Sequence, residues 1–380
     1  MLYLDHAATT PVRPEVLEAM LPYLTDRFGN PSSHHTVGEA AAAALDDARR
    51  RVAAVLGVRA GDIVFTSGGT EADNLAVKGL AVGAALRRGA PVHVITTPIE
   101  HEAVLASCDY LERVHGFPVT LLPVDSTGLV DPTDLAAALR AETAVVSIGY
   151  ANNETGTVQD AAGLAAVTIA AGVPLHLDAV QAAGWLPLSG TGADALSLAG
   201  HKIGAPQGVG VLAVRSRLPL EPLIHGGGQE AGRRSGTENL AGVVGFAVAL
   251  EFAEAERAEA STRVGALTDA FIERVLDRVP TARLTGHPTR RLPGTAGFTF
   301  AGTSGEAVLL ELERRGVITS SGSACAAGSD EPSHVLVACG VEPEVAQTSV
   351  RFTFGHAHRS DLTAVADAVA ASVAAVRSGT

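Results

Sequence analysis

The strongest constraint on what this chain can fold into is a regular alternation between residues 62 and 214. Short runs rich in Val, Ile, Leu and Ala fall at 62–66, 92–96, 119–122, 144–148, 174–177, 195–198 and 210–214. Each is too short for a helix and is bounded by turn-forming residues. Stretches of helical period lie between them, from about residue 71 and at 103–115, 132–140 and 163–171. Strands that alternate with helices predict an α/β fold with a mostly parallel central sheet flanked by helices, which explains why the runs are apolar throughout. Ligands of such a sheet bind beyond the carboxyl ends of its strands, so the polar residues there form the candidate site.

The texture changes after a long Ala/Glu/Val helix expected from 240 to about 263. A strand at 295–300, a helix at 306–315, a Ser/Gly run at 319–323, a helix at 333–339, a strand at 348–354 and a helix at 360–376 follow. This predicts a smaller C-terminal α+β domain. The expected division is 1–255 for a large domain with a short N-terminal entry segment and 256–380 for the small one, within the size range of two domains.

Several strand ends carry chemistry. The run 195–198 leads into Gly200-His201-Lys202, and Gly204, Pro206, Gly208 and Gly210 then disfavour any regular element. Lys202 is delivered at a buried strand end, either as a surface charge or as a desolvated amine held for covalent chemistry. Ser67-Gly68-Gly69-Thr70 turns from a strand into a helix; glycine admits close backbone approach, and a helix start suits a phosphate. Neither the P-loop nor the G-x-G-x-x-G pattern is present.

Asp178 ends another apolar run, with Gln181 following shortly after. A carboxylate there needs a cationic or hydrogen-bonding partner, such as an arginine or a protonated pyridine nitrogen. His101 suits either stacking and proton transfer or a helix entry. Asn153, within Asn152-Asn153-Glu154-Thr155-Gly156, suits either a carboxylate or a turn. A phosphate cradle, an acid, a stacking histidine and a lysine are together what pyridoxal 5'-phosphate requires.

Three cysteines without paired spacing give neither a disulfide framework nor a metal site. Cys108 and Cys339 lie among apolar residues and read as core packing. Cys325 lies in a run of small residues, 320–329, that could carry a thiol toward a neighbouring site. Arg351, on a strand after that run, offers a bidentate fork for a carboxylate or makes a structural ion pair.

Residues 1–6 show no leader pattern, and no run of about 18 apolar residues could cross a membrane. With few cysteines, the expected setting is the reducing cytoplasm. A formal net charge of −13, without a Lys/Arg stripe, argues against direct nucleic-acid binding.

The motifs in their order resemble the group I, NifS/IscS-like cysteine desulfurases of fold type I. The resemblance runs nearly end to end. It rests on 3–11 (Tyr-Leu-Asp-His-Ala-Ala-Thr-Thr-Pro), Gly29-Asn30-Pro31-Ser32-Ser33, 65–71, Glu100-His101 and 152–156. It continues through Asp178-Ala179-Val180-Gln181, Gly200-His201-Lys202, Arg234-Ser235-Gly236-Thr237, Ser321-Gly322-Ser323-Ala324-Cys325 and Ser349-Val350-Arg351-Phe352. The resemblance implies a pyridoxal 5'-phosphate enzyme that converts L-cysteine to L-alanine and passes the sulfur, as a persulfide on Cys325, to a protein acceptor. An iron–sulfur scaffold or a tRNA-thiolation protein would be such an acceptor.

By the same resemblance Lys202 holds the cofactor covalently, Asp178 pairs with its ring nitrogen and Gln181 with its ring hydroxyl. His101 stacks and moves protons. Gly69, Thr70 and His201 hold the phosphate, with Thr237 reaching across a homodimer interface. Asn153 and Arg351 hold the substrate carboxylate. Three departures stand out: Ala199 replaces a serine, Gly204-Ala205-Pro206-Gln207 replaces aromatic-Gly-Pro-Lys, and Ala326 replaces a threonine. Other readings are a selenocysteine lyase, an aminotransferase or a non-catalytic sulfur-relay subunit.

Overall fold

A computed structural model of the chain describes residues 1–322 and 331–378. Seven strands form the central sheet in the order Ile63–Thr66, Gly210–Val214, Ala195–Ala199, Leu175–Asp178, Thr143–Gly149, His93–Thr96, Val119–Leu121. Gly210–Val214 alone runs against the direction of the other six. Successive side chains of a strand point to opposite faces, and the sheet feeds two cores accordingly. Ile63 and Phe65 pack with Thr36–Leu56 and the first half of Leu240–Arg278. Val64, between them, packs with the helical stretch that starts at Gly69 and with Glu102–His115. The α/β fold expected from the sequence is the one observed.

The register decides what meets at the strand ends. Gly149, Asp178 and Ser197 lie side by side on three adjacent strands. Ala199, Gly210 and Thr66 do the same on the other side. Gly210 permits this packing, because a Cβ there would lie 2.6 Å from the Gly68 carbonyl carbon.

The helix expected to end near Arg263 continues unbroken to Arg278, 39 residues in all. Its apolar face persists through Val264, Phe271, Ile272 and Val275, which enter a separate core under the small sheet. That sheet is antiparallel, in the order Val350–Thr353, Thr295–Phe300, Ala282–Leu284. Leu2–Tyr3 pairs in parallel with Val317–Ile318, so the first residues of the chain pack against the C-terminal part. Leu4 is fully buried in the same core. The sequence reading did not anticipate the helix Pro14–Leu24 or the strand Ala282–Leu284. No described helix is long and apolar enough to cross a membrane.

Candidate active site

The carboxyl ends of the parallel strands open into a cavity of about 1170 Å³. Gly69, Thr70, His101, Asn153, Asp178, Gln181, His201, Lys202 and Arg351 all line it. Two of the expected residues are absent from that wall. Cys325 lies outside the described residues, although Gly322 and Glu331, which flank 323–330, both line the cavity. Thr237 sits exposed on the segment before Leu240, away from the cavity.

Lys202 closes a short turn, Gly200–Lys202, at the end of the strand Ala195–Ala199. The N-terminal segment wraps around this turn. Thr10 donates through its backbone N–H and its hydroxyl to the His201 carbonyl, and accepts from Gly204 N–H at its Oγ1. The Lys202 ammonium donates to the carbonyls of Ala7 and Ala8, the latter at 2.8 Å. Chemistry at Nζ requires the amine to leave these carbonyls. Gln181 donates to the same Ala7 carbonyl at 3.0 Å. At Gly204 φ is +85°, and a side chain there would begin where Arg13 packs, which fits the loss of the aromatic residue.

Asp178 accepts from Val180 N–H at 2.9 Å. Burial pushes its carboxyl above the usual range; that hydrogen bond and the nearby His101 and Lys202 pull it down. A cation placed against it would restore the carboxylate. His201 is held neutral, pushed down to about 4 by burial and by Lys202. Gly69 begins a helix pressed so closely to the sheet that a Cβ would lie 2.8 Å from Val180 Cγ2 and 3.3 Å from Ala199 Cβ. Only glycine brings these backbone N–H groups to the strand ends.

His101 caps the helix Glu102–His115, its Nδ1 accepting from Ala103 N–H at 3.0 Å. The neutral ring therefore carries its proton on Nε2, and a role as base at Nε2 requires the cap to break. The two readings of His101, helix entry and ring chemistry, thus compete for one nitrogen.

The paired asparagines divide their work. Asn152 Oδ1 accepts from Glu154 and Thr155 N–H, each at 2.9 Å, and its amide donates to the Ile99 carbonyl, so it builds the turn. Asn153 is the one on the cavity wall.

Arg351 is only 2% exposed and already engaged. It donates to the carbonyls of Asn153 (2.8 Å) and Gly322 (3.2 Å) and to Asp5 Oδ1 (2.8 Å). It makes the structural ion pair, and among the described residues its Nε–H is buried with no partner. A free N–H of that kind suits a carboxylate ligand.

Three buried acids escaped the sequence reading. Glu154 accepts from the Ser333 hydroxyl at 2.5 Å, and burial raises its pKa. Glu100 accepts from the Thr97 hydroxyl at 2.6 Å and is pushed up to about 8 by burial. Asp73 lines the cavity, its Oδ1 without a hydrogen-bond partner among the described residues. All three lie next to residues the sequence singles out, but nothing in a linear motif shows that their carboxyls turn inward. Cys108 and Cys339 are buried, as expected. Among the described residues no His/Cys/Asp/Glu cluster could hold a metal.

Comparison with known proteins accounts for this arrangement. Residues 2–364 match the family model described as aminotransferase class-V. The cysteine desulfurase IscS of Dictyoglomus turgidum is 45% identical over 356 residues, covering 93% of this chain and 89% of the relative. An IscS-like cysteine desulfurase of Mycobacterium tuberculosis is 44% identical over 386 residues, covering 99% and 97%. The solved structure of a NifS-like protein matches with a TM-score of 0.89 at 34% identity and covers all of both chains. That of SspA in complex with cysteine gives 0.81 at 37% identity, covering 93% of this chain and 99% of the other. With a lysine, an acid and a glycine-started helix meeting at its strand ends, this chain belongs to the class-V aminotransferase family of fold type I, pyridoxal phosphate-dependent enzymes, among its NifS/IscS-like cysteine desulfurases.

Proposed function

We propose that the chain converts L-cysteine to L-alanine with pyridoxal 5'-phosphate and transfers the sulfur through a persulfide on Cys325. The observation that carries this reading is the placement of Lys202 and Asp178 on one cavity wall, beside a helix that begins at Gly69. The donor set fits the cofactor. Asp178 gains a cationic partner at the ring nitrogen, the N–H groups from Gly69 and Thr70 and a neutral His201 face the phosphate, and Gln181 serves the ring hydroxyl. When bound, the group supplies an electron sink for bonds at the substrate's amino-bearing carbon.

The chain's own residues do the rest. Lys202 leaves the Ala7 and Ala8 carbonyls to hold the cofactor, and returns a proton to the substrate after release. Asn153 and the Nε–H of Arg351 orient the substrate carboxylate. His101 moves protons once its cap to Ala103 opens. The Cys325 thiolate attacks the substrate sulfur: an S–S bond forms and the substrate C–S bond breaks. The electron pair stays with the β-carbon, and a proton completes the methyl group of L-alanine.

Residues 1–255 are read as the cofactor-binding unit and 256–380 as the unit that carries the cysteine. A homodimer is proposed on two observations. Thr237 is exposed on a segment anchored by the Arg49–Glu230 and Arg234–Glu71 ion pairs and does not line this chain's own cavity, as a residue serving another subunit would not. Leu17, Leu21, Leu24 and Phe28, all more than half exposed, form an apolar row such an interface would cover. The proposed acceptor is a cytoplasmic protein of iron–sulfur assembly or tRNA thiolation. Purified protein given L-cysteine and a thiol reductant should release L-alanine and sulfide, and Lys202→Ala should release neither. A keto acid product in place of alanine would replace this reading with an aminotransferase.

A further inference from the structure

A line of buried polar side chains crosses the sheet behind the cavity, and none of the steps above uses it. Ser147 and His176 face each other on adjacent strands, with Ser147 Oγ 2.9 Å from His176 Nδ1. His176 Nε2 lies 2.8 Å from Ser197 Oγ on the next strand. All three residues are fully buried. The carboxyl of Asp73 approaches the same place: its Oδ1 lies 3.8 Å from His176 Nε2, and the Ser197 hydroxyl is close enough to pull its pKa down against burial.

Asp73 belongs to the helix that begins at Gly69, one turn beyond the residues proposed to face the cofactor phosphate. It is 2% exposed, and among the described residues no Lys or Arg pairs with it. The titratable groups facing it are Asp178 and Glu100, both acids, and the imidazole of His176. Burial holds His176 neutral, down to about 3, so it cannot serve as a counter-ion. A carboxylate in this position would be a buried charge beside two other acids, the costliest arrangement available to it.

We propose that Asp73 is a positioning residue that stays protonated and ties the first turn of the Gly69 helix to the sheet through Ser197, His176 and Ser147. The chain has one consistent direction. Asp73 donates to Ser197 Oγ, the Ser197 hydroxyl donates to His176 Nε2, and His176 Nδ1–H donates to Ser147 Oγ. The two serines and the imidazole are then bonded along one line, and Asp178 is left as the acid that ionises against the cofactor. The proposal rests on the cofactor reading above.

The test compares Asp73→Asn with Asp73→Ala. Asparagine keeps a donor and cannot ionise; alanine removes the donor. Pyridoxal 5'-phosphate affinity, measured by equilibrium titration of the stripped protein, should stay within about threefold of wild type for Asp73→Asn. It should weaken by about tenfold or more for Asp73→Ala, as expected for one lost buried hydrogen bond. Equal losses in the two variants would overturn the proposal. Failure of the wild type itself to bind pyridoxal 5'-phosphate would instead overturn the cofactor reading.

A second measurement needs no variant. Nitrogen-15 NMR of His176 in the wild-type protein should show a neutral ring protonated at Nδ1 between pH 6 and 8. An imidazolium, or a ring protonated at Nε2, would mean that Asp73 is an anion and the proposal is wrong.

Discussion

Arg351 reaches the cavity already paired, and Asp5 is the group it would have to share with a substrate. Of its five N–H groups, three go to Asp5 and the carbonyls of Asn153 and Gly322, and Nε–H has no partner among the described residues. A substrate carboxylate on the remaining edge would sit about 7 Å from that of Asp5 on the same guanidinium, and at an effective dielectric of about 20 the two repel by roughly 2 kcal/mol. The Asp5 side chain is 17% exposed, so solvent trims this to about 1–2 kcal/mol. Asp5→Asn keeps an acceptor for Nη2 and removes the charge.

The KM for L-cysteine should therefore fall by roughly 5- to 30-fold, with kcat little changed because Asp5 touches no reacting atom. The inhibition constant of L-alanine, which shares the carboxylate, should fall in parallel. Stability should drop by about 1–3 kcal/mol through loss of a largely buried charged hydrogen bond, read as a lower Tm. A KM that rises or stays put, with alanine following it, would show that Asp5 aims Arg351 at the substrate instead of competing with it.

Glu100, raised to about 8 from an ordinary value of 4.5, binds its proton more tightly in the folded chain than in the unfolded one. Its contribution is fully present below about pH 4.5 and is lost as the pH rises through 8. The Tm of Glu100→Gln should therefore gain on wild type between pH 5 and 8 and level off above, by on the order of 3–5 kcal/mol in stability; a gap independent of pH would refute the buried, protonated state. The Cys108 and Cys339 thiols are pushed up to about 12 and about 11 by burial, so brief iodoacetamide treatment of native protein at neutral pH should label Cys325 alone. An early adduct on either buried cysteine, seen by peptide mass spectrometry, would contradict their placement. Ala199→Ser should retain pyridoxal 5'-phosphate about tenfold more tightly on dialysis, the value of one added hydrogen bond to a charged group; unchanged retention would show that the other donors suffice.

Much of the fold was legible because the strands are buried on both faces and read as plain apolar runs. The strands at Gly210–Val214 and Thr295–Phe300 match the reading to the residue. The helix Pro14–Leu24 was not legible, for its apolar residues point both ways: Val16 and Met20 are buried while Leu17 and Leu21 are more than half exposed. The long helix was cut short at Arg263, where its partner core changes and the residue pattern of one core no longer serves for the other.

At the site, residues at strand ends stood out because topology fixes where such ends gather. What they touch did not. Asp5 and Arg351 are separated by 346 positions, and they meet because the N-terminal segment lies along the strand Val350–Thr353, Asp5 bridging to Thr353. The cap from Ala103 to His101 was foreseeable as a helix entry, but its consequence for the proton on Nε2 needed the geometry. Asp73 and Glu100 read as ordinary helix and turn acids until the sheet closes over them.

The central claim is that sulfur leaves L-cysteine through Cys325 in a cavity organised by Lys202. Protein loaded with pyridoxal 5'-phosphate, given about one equivalent of L-cysteine without reductant and mapped by peptide mass spectrometry, should carry one added sulfur atom on the peptide containing Cys325 and release one L-alanine. Lys202→Ala and Cys325→Ser should show neither the added sulfur nor the alanine. Sulfur on Cys108 or Cys339, or alanine formed at the wild-type rate by Cys325→Ser, would contradict it.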